Sequence, residues 1–149
     1  MSENQTRHTV LMIEDDPVGV DLARSAAAEC VDDFDMVVLR DADEVLAWLD
    51  ASVASSHPIP RVILIDLKLP KLDGLAVLRK LRMHEVTRDI PVLGFSAEYT
   101  QGDILMSYRV GANSFVAKPA DLQQFIEFFN KQLPYWLQPR QRKLAFSTS

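Results

Sequence analysis

Apolar residues along this chain fall into short unbroken runs that alternate with longer amphipathic stretches. Val10-Leu11-Met12-Ile13, Met36-Val37-Val38-Leu39, Val62-Ile63-Leu64-Ile65, Pro91-Val92-Leu93-Gly94-Phe95 and Ser114-Phe115-Val116-Ala117 read as five strands. Three of them are almost continuously hydrophobic, as strands covered on both faces of a parallel sheet must be. Between them the pattern predicts helices over about Pro17–Cys30, Ala42–Ala51, Gly74–His84, Gln101–Val110 and Asp121–Leu133. Asp16-Pro17 supplies an N-cap followed by proline at the first helical position. Val18, Leu22 and Ala26 then repeat every four residues as an inward face. Asp121 caps the last helix, whose Leu122, Phe125, Ile126, Phe129 and Leu133 form an inward stripe. Trp48 shares a helical face with Val45 and Leu49 and reads as core or partly buried. The outcome is an α/β chain of five βα units with right-handed crossovers. Residues 1–8 read as a tail, 9–133 as the domain, with Ser52–Pro60 a polar loop, and 134–149 as an extension too short to fold alone.

Composition narrows the class. The chain has 149 residues, 48% hydrophobic and 25% charged, which suits one domain with a sizeable core and excludes a disordered chain. The single cysteine excludes an internal disulfide framework and a multi-thiolate metal site. No run of about 18 apolar residues is present to span a membrane, and MSENQTRHT lacks the apolar core of a secretory leader. A soluble, cytoplasmic protein is the expectation. The net charge of −5 is unevenly spread: all 21 acids and 12 of the bases lie within residues 1–130, while Lys131, Arg140, Arg142 and Lys143 follow. An acidic body argues against a general nucleic-acid surface, and the basic tail reads as a solvated end, with contact to a phosphate or an acidic partner as the alternative.

In an open parallel sheet, sites form outside the carboxyl ends of the strands. Here the first strand ends in Glu14-Asp15-Asp16, the third in Asp66, the fourth in Ser96 and the fifth in Lys118-Pro119, while the second ends in Arg40-Asp41 at the margin. Gathered carboxylates repel one another unless a cation is present. Oxygen donors without neighbouring His or Cys suit a hard ion such as Mg²⁺, which keeps several waters and pairs with phosphate. His8, His57 and His84 stand apart and show no metal spacing. A carboxylate, Mg²⁺, a lysine and a hydroxyl together make a phosphoryl-transfer site, with Asp66 the natural nucleophile.

The segments VLMIEDDP, VILIDLKLPKLDG, VLGFSAE and FVAKP resemble the response-regulator receiver domain of two-component signalling, over about residues 8–133. The spacing agrees: from Asp66, Ser96 is 30 residues on, Phe115 49 and Lys118 52. The resemblance implies a flavodoxin-like fold with strand order 2-1-3-4-5, and Asp66 as phosphoacceptor. It implies Asp15 as a direct Mg²⁺ ligand, Glu14 as a ligand through water, and the backbone carbonyl of Lys68 completing the protein's share. Lys118 would pair with the phosphoryl oxygens, its bond to Pro119 being cis. Ser96 would move to the phosphoryl group and Phe115 would turn into the vacated space. Asp16 is expected to cap its helix rather than ligate. Lys68 and Glu98 would overlook the path of attacking water, and an ion pair between them would shield the phosphate.

EDDP, DLKLPKLDG, the loop before the third strand and Tyr135-Trp136-Leu137 resemble single-domain regulators associated with phytochrome-type histidine kinases. That resemblance implies a histidine kinase partner, no DNA-binding output, and signalling through protein contacts. Such a protein catalyses only its own phosphorylation and dephosphorylation. Phe128, off the inward stripe, would join Tyr135 and Trp136 in an exposed apolar patch supporting a homodimer through the last helix and extension. Two other readings compete. A haloacid-dehalogenase-like phosphatase would place a second Asp two residues after the nucleophile, where Lys68 stands. A degenerate receiver that only binds proteins would lack part of the acid–lysine set.

Overall fold

The computed structural model describes residues 8–31, 33–53, 58–68 and 73–138. Five strands, β1 (His8–Ile13), β2 (Phe34–Leu39), β3 (Val62–Asp66), β4 (Val92–Ser96) and β5 (Ser114–Ala117), alternate with helices α1 (Pro17–Glu29), α2 (Ala42–Val53), α3 (Gly74–Met83), α4 (Gln101–Val110) and α5 (Leu122–Lys131), followed by a short α6 (Leu133–Leu137). All pairings are parallel, in the order β2-β1-β3-β4-β5. The alternation of runs predicted the five βα units, and their order is that of the flavodoxin-like fold that the resemblance implied.

Period-two alternation divides the strand side chains between two cores. Leu11, Ile13, Ile63 and Ile65 meet Val45 and Leu49 of α2 and Val77, Leu78 and Leu81 of α3. Val10, Met12, Val62, Leu64, Leu93 and Phe95 meet Ala23 and Ala26 of α1, Phe125, Phe128 and Phe129 of α5, and Leu133 and Leu137 of α6. Covered on both faces, the central strands have no reason to alternate polar with apolar, and they do not. Trp48 packs half-buried against the first core, as its helical face suggested.

Three expectations need correction. Val18 is 64% exposed; Leu22 and Ala26 do pack against the second core, but α1 buries Gly19, Val20 and Ala23 with Ala26, because a three-residue step from Val20 keeps small side chains against the sheet. Phe128 is buried and stacks edge-to-face on Phe95 with ring centroids 5.2 Å apart. It fills the gap between α5 and β4, so it cannot belong to a surface patch. Trp136 also packs against the second core, leaving Tyr135 as the exposed aromatic of the extension. The extension is part of the fold as far as Gln138: Pro134 stands in the first turn of α6, where its missing N–H is harmless. Arg61 Nη1 donates to the carbonyl of Leu137 at 2.6 Å. Arg140, Arg142 and Lys143 lie outside the described residues.

Candidate phosphoryl-transfer site

Asp66 is the last residue of β3 and is buried. Register sets what surrounds it. β3 pairs with β4 so that Asp66 lies beside Phe95, and Ser96 follows one step on. β5 pairs with β4 so that Ser96 lies beside Ala117, which delivers Lys118 to the same rim. The amide of Lys118 donates to the carbonyl of Ser96 at 3.0 Å, and its ammonium reaches back to Asp66 Oδ2 at 2.6 Å. The same Nζ stands 2.8 Å from Glu14 Oε1 at the end of β1. Residues 52 positions apart in sequence therefore share one charge pair, because parallel strands all present their carboxyl ends together.

Two buried carboxylates share one ammonium, and the balance is uneven. Glu14 is wholly buried; Oε2 accepts from the amide of Asp16 at 3.1 Å, while Oε1 pairs with Lys118 by proximity but receives no well-aligned hydrogen bond. Burial pushes the Glu14 carboxyl above its ordinary range, against the pull of Lys118. Burial alone would lower the Lys118 ammonium, but contacts with Asp66 and Glu14 outweigh it and hold the group above its ordinary value.

This arrangement fits a hard divalent ion. A buried carboxylate oxygen without an aligned donor, next to a second carboxylate, is an oxygen-only donor set. Among the described residues no group of three His, Cys, Asp or Glu side chains is placed to hold a metal ion, and the Lys118 ammonium stands 2.8 Å from Glu14 and 2.6 Å from Asp66. Mg²⁺ needs only one or two protein carboxylates beside water and phosphate, so the set suffices. Asp15, half-buried, follows Glu14 at the end of β1. Asp16 caps α1, accepting from the amide of Val18 at 3.1 Å, as the Asp-Pro pair suggested.

The loop after β3 turns back on Asp66. The amide of Lys68 donates to Asp66 Oδ1 at 2.9 Å, and Lys68 forms a single antiparallel bridge with Asp73. Asp73 caps α3 through the amide of Ala76. Gly74 is required by packing: a Cβ there would lie 2.5 Å from Leu67 Cα and 2.7 Å from the carbonyl oxygen of Asp66. Residues 69–72, within the DLKLPKLDG segment, lie outside the described residues.

Two expectations about the rim fail. The Lys118–Pro119 bond is trans; the trans form is favoured by about 0.5–1 kcal/mol in such bonds, and it already brings the ammonium onto both carboxylates. Lys68 pairs with Asp103 at 2.7 Å rather than with Glu98. The turn after Ser96 presents the backbone of Glu98, whose carbonyl accepts from Ser96 Oγ at 2.8 Å. Asp103 is instead fixed in the first turn of α4 by a reciprocal capping box with Thr100, and the Lys68 ammonium holds its carboxyl below the ordinary range. The Thr100-x-x-Asp103 pattern was the sequence signal for that anchor. Phe115 is half-buried, with Tyr99 edge-on at 4.9 Å and its amide donating to Tyr108 Oη at 3.2 Å; neither tyrosine was foreseen.

Comparison with known proteins agrees with this geometry. The response regulator receiver domain family matches residues 10–130. Response regulator Rcp1 of Synechocystis is 26% identical over 137 residues, covering 91% of this chain and 93% of the relative. The crystal structure of the phosphorylated cyanobacterial phytochrome response regulator RcpA superposes with a TM-score of 0.77 at 29% identity, covering 89% of this chain and 96% of RcpA. The Mn²⁺-bound form of Rcp1 gives 0.74 at 25% identity, covering 89% and 96%. No helix among the described residues is long and apolar enough to cross a membrane. With four strand ends meeting at one rim and the family matching most of its length, the chain belongs to the response regulator receiver domains.

Proposed function

We propose that this protein accepts a phosphoryl group on Asp66 from a phosphohistidine of a histidine kinase, with Mg²⁺, and signals through the contacts that follow. The observation that carries the reading is the 2.6 Å contact between Lys118 Nζ and Asp66 Oδ2 at the floor of a rim lined by Glu14 and Ser96. In the reaction the histidine N–P bond breaks, its electron pair staying on the imidazole, and an Asp66 oxygen forms the new O–P bond. Glu14, Asp15 and Asp66, with the Lys68 carbonyl, would hold the ion, which supplies charge neutralisation at the phosphoryl oxygens when bound. Lys118 adds a second positive charge and needs no proton transfer, since its raised pKa keeps it charged. Ser96 would exchange its bond to the Glu98 carbonyl for one to the phosphoryl group, and Phe115 would follow into the vacated space. Hydrolysis reverses the bond change: water attacks phosphorus, and the Asp66 carboxylate leaves.

The two rival readings are weaker. A phosphatase of the Asp-nucleophile type would use a second carboxylate two residues on as acid and base, and that residue is Lys68, held to Asp103. A receiver that only binds proteins would have no use for two buried carboxylates around one ammonium. Similarity to RcpA and Rcp1 supports a phytochrome-type kinase as the donor.

Incubation with acetyl phosphate and Mg²⁺, followed by intact mass, tests the reading. Wild type gains one phosphoryl group and Asp66→Asn none. Equal gain by the variant overturns the assignment.

A further inference from the structure

Among the longer helices, α4 is held differently from the rest. The helices α1, α2, α3 and α5 each bury at least three side chains, whereas the sole fully buried side chain of α4 is Ser107. Leu105, Met106 and Tyr108 are exposed on it. Val110 packs half-buried against the first core, and a helix with so few buried apolar contacts belongs to the low-stability part of a fold, where the anchors at its ends count for more. At the C-terminal end the anchor is Arg82, whose Nε donates to the carbonyl of Gly111 at 2.9 Å. Gly111 has φ +134°, and a Cβ there would lie 2.7 Å from Arg82 Cγ. At the N-terminal end the capping box fixes Asp103, and Asp103 Oδ2 accepts from the amide of Thr100 at 2.8 Å while pairing with Lys68 Nζ at 2.7 Å.

Lys68 therefore has two attachments. Its amide lies on the acceptor carboxylate, and its ammonium lies on the first turn of α4. We propose that the Lys68–Asp103 ion pair is a latch tying α4 to the phosphoacceptor loop, and that a phosphoryl group on Asp66 withdraws Lys68 and loosens α4. The proposal rests on Asp66 being the acceptor. A phosphoryl group carries about two negative charges where the Asp66 carboxylate carried one, so with the same cations present the rim gains negative charge at the root of the Lys68 stem, while Asp103 remains a single carboxylate that water can screen. The flexible lysine stem starts beside Asp66 and can turn to the stronger partner without moving the backbone. Since α4 carries Tyr108, which holds the amide of Phe115, and follows Tyr99, which holds its ring, loosening its first turn also frees Phe115.

Hydrogen–deuterium exchange of the Asp103–Ser107 amides tests this, with intact mass reporting phosphoryl uptake in the same samples. Asp103→Asn keeps the capping oxygen and removes the charge; Lys68→Met leaves the cap untouched. Both variants should exchange severalfold faster than wild type before phosphorylation and change little after it. Wild type should accelerate severalfold once phosphorylated by acetyl phosphate and Mg²⁺. Acceleration in Asp103→Asn alone would assign the effect to the cap and overturn the latch, as would full uptake by wild type without a change in α4. Failure of uptake would overturn the acceptor reading instead, and exchange in unphosphorylated Lys68→Met would then decide whether the pair holds the helix.

Discussion

At the scale of single residues, the site is a balance of two buried carboxylates against one ammonium. Glu14 is the loser in that balance. A group whose folded pKa is raised adds stability fully only below its ordinary value of 4.5 and loses it as pH rises through the folded value. Without metal, Glu14→Gln should therefore raise the midpoint of thermal unfolding by a few degrees at about pH 7.5, with the gap closing as pH falls toward 4.5. Melting curves in chelator read this directly; an unchanged or lower midpoint for the variant contradicts the account of Glu14. Stabilisation by added Mg²⁺ should shrink in the same variant. Gly74 is the second test. A methyl group there meets backbone of Leu67 and Asp66, not a side chain that can swing away. Gly74→Ala should lose about 1–3 kcal/mol in urea unfolding and slow phosphoryl uptake, since the backbone it displaces is that of Asp66 and Leu67. Wild-type stability in the variant would show that this loop yields.

At the scale of elements, the five strands and five main helices were readable because each carries its own period and its own punctuation. Asp16-Pro17 and Asp121 cap the helices they were expected to cap, and Phe125, Phe129 and Leu133 line one buried stripe. What could not be read was which neighbour an element meets. Phe128 lies off the stripe by helical spacing alone; it is buried because the α5–β4 gap admits a second aromatic ring. Residues 134–149 read as an extension too short to fold alone, yet α6 begins around Pro134 and buries Leu133 and Leu137. The capping pattern of Thr100 and Asp103 marked the anchor, but that Lys68 meets it rather than Glu98 depends on the shape of the turn after Ser96. A chain ending at Gln132 removes both leucines, each worth roughly 1.5–3 kcal/mol of burial, and the carbonyl that Arg61 holds. It should melt many degrees lower by circular dichroism; an unaltered melt would make α6 an ornament rather than part of the core.

At the scale of the whole molecule, an acidic body carries its chemistry at one end of a sheet. The strand order places β1, β3, β4 and β5 side by side, so the site was legible as a list of strand-terminal residues: Glu14, Asp66, Ser96 and Lys118. Their distances were not legible, because they depend on register and on how far each side chain reaches. The central claim is that the phosphoryl group goes to one carboxylate among several at this rim. Borohydride reduces an aspartyl phosphate to homoserine, so reduction of the phosphorylated protein followed by peptide mapping names the acceptor. The account predicts homoserine at position 66 alone. Homoserine at position 15 or 16, or none in a protein that has gained the phosphoryl mass, would contradict it.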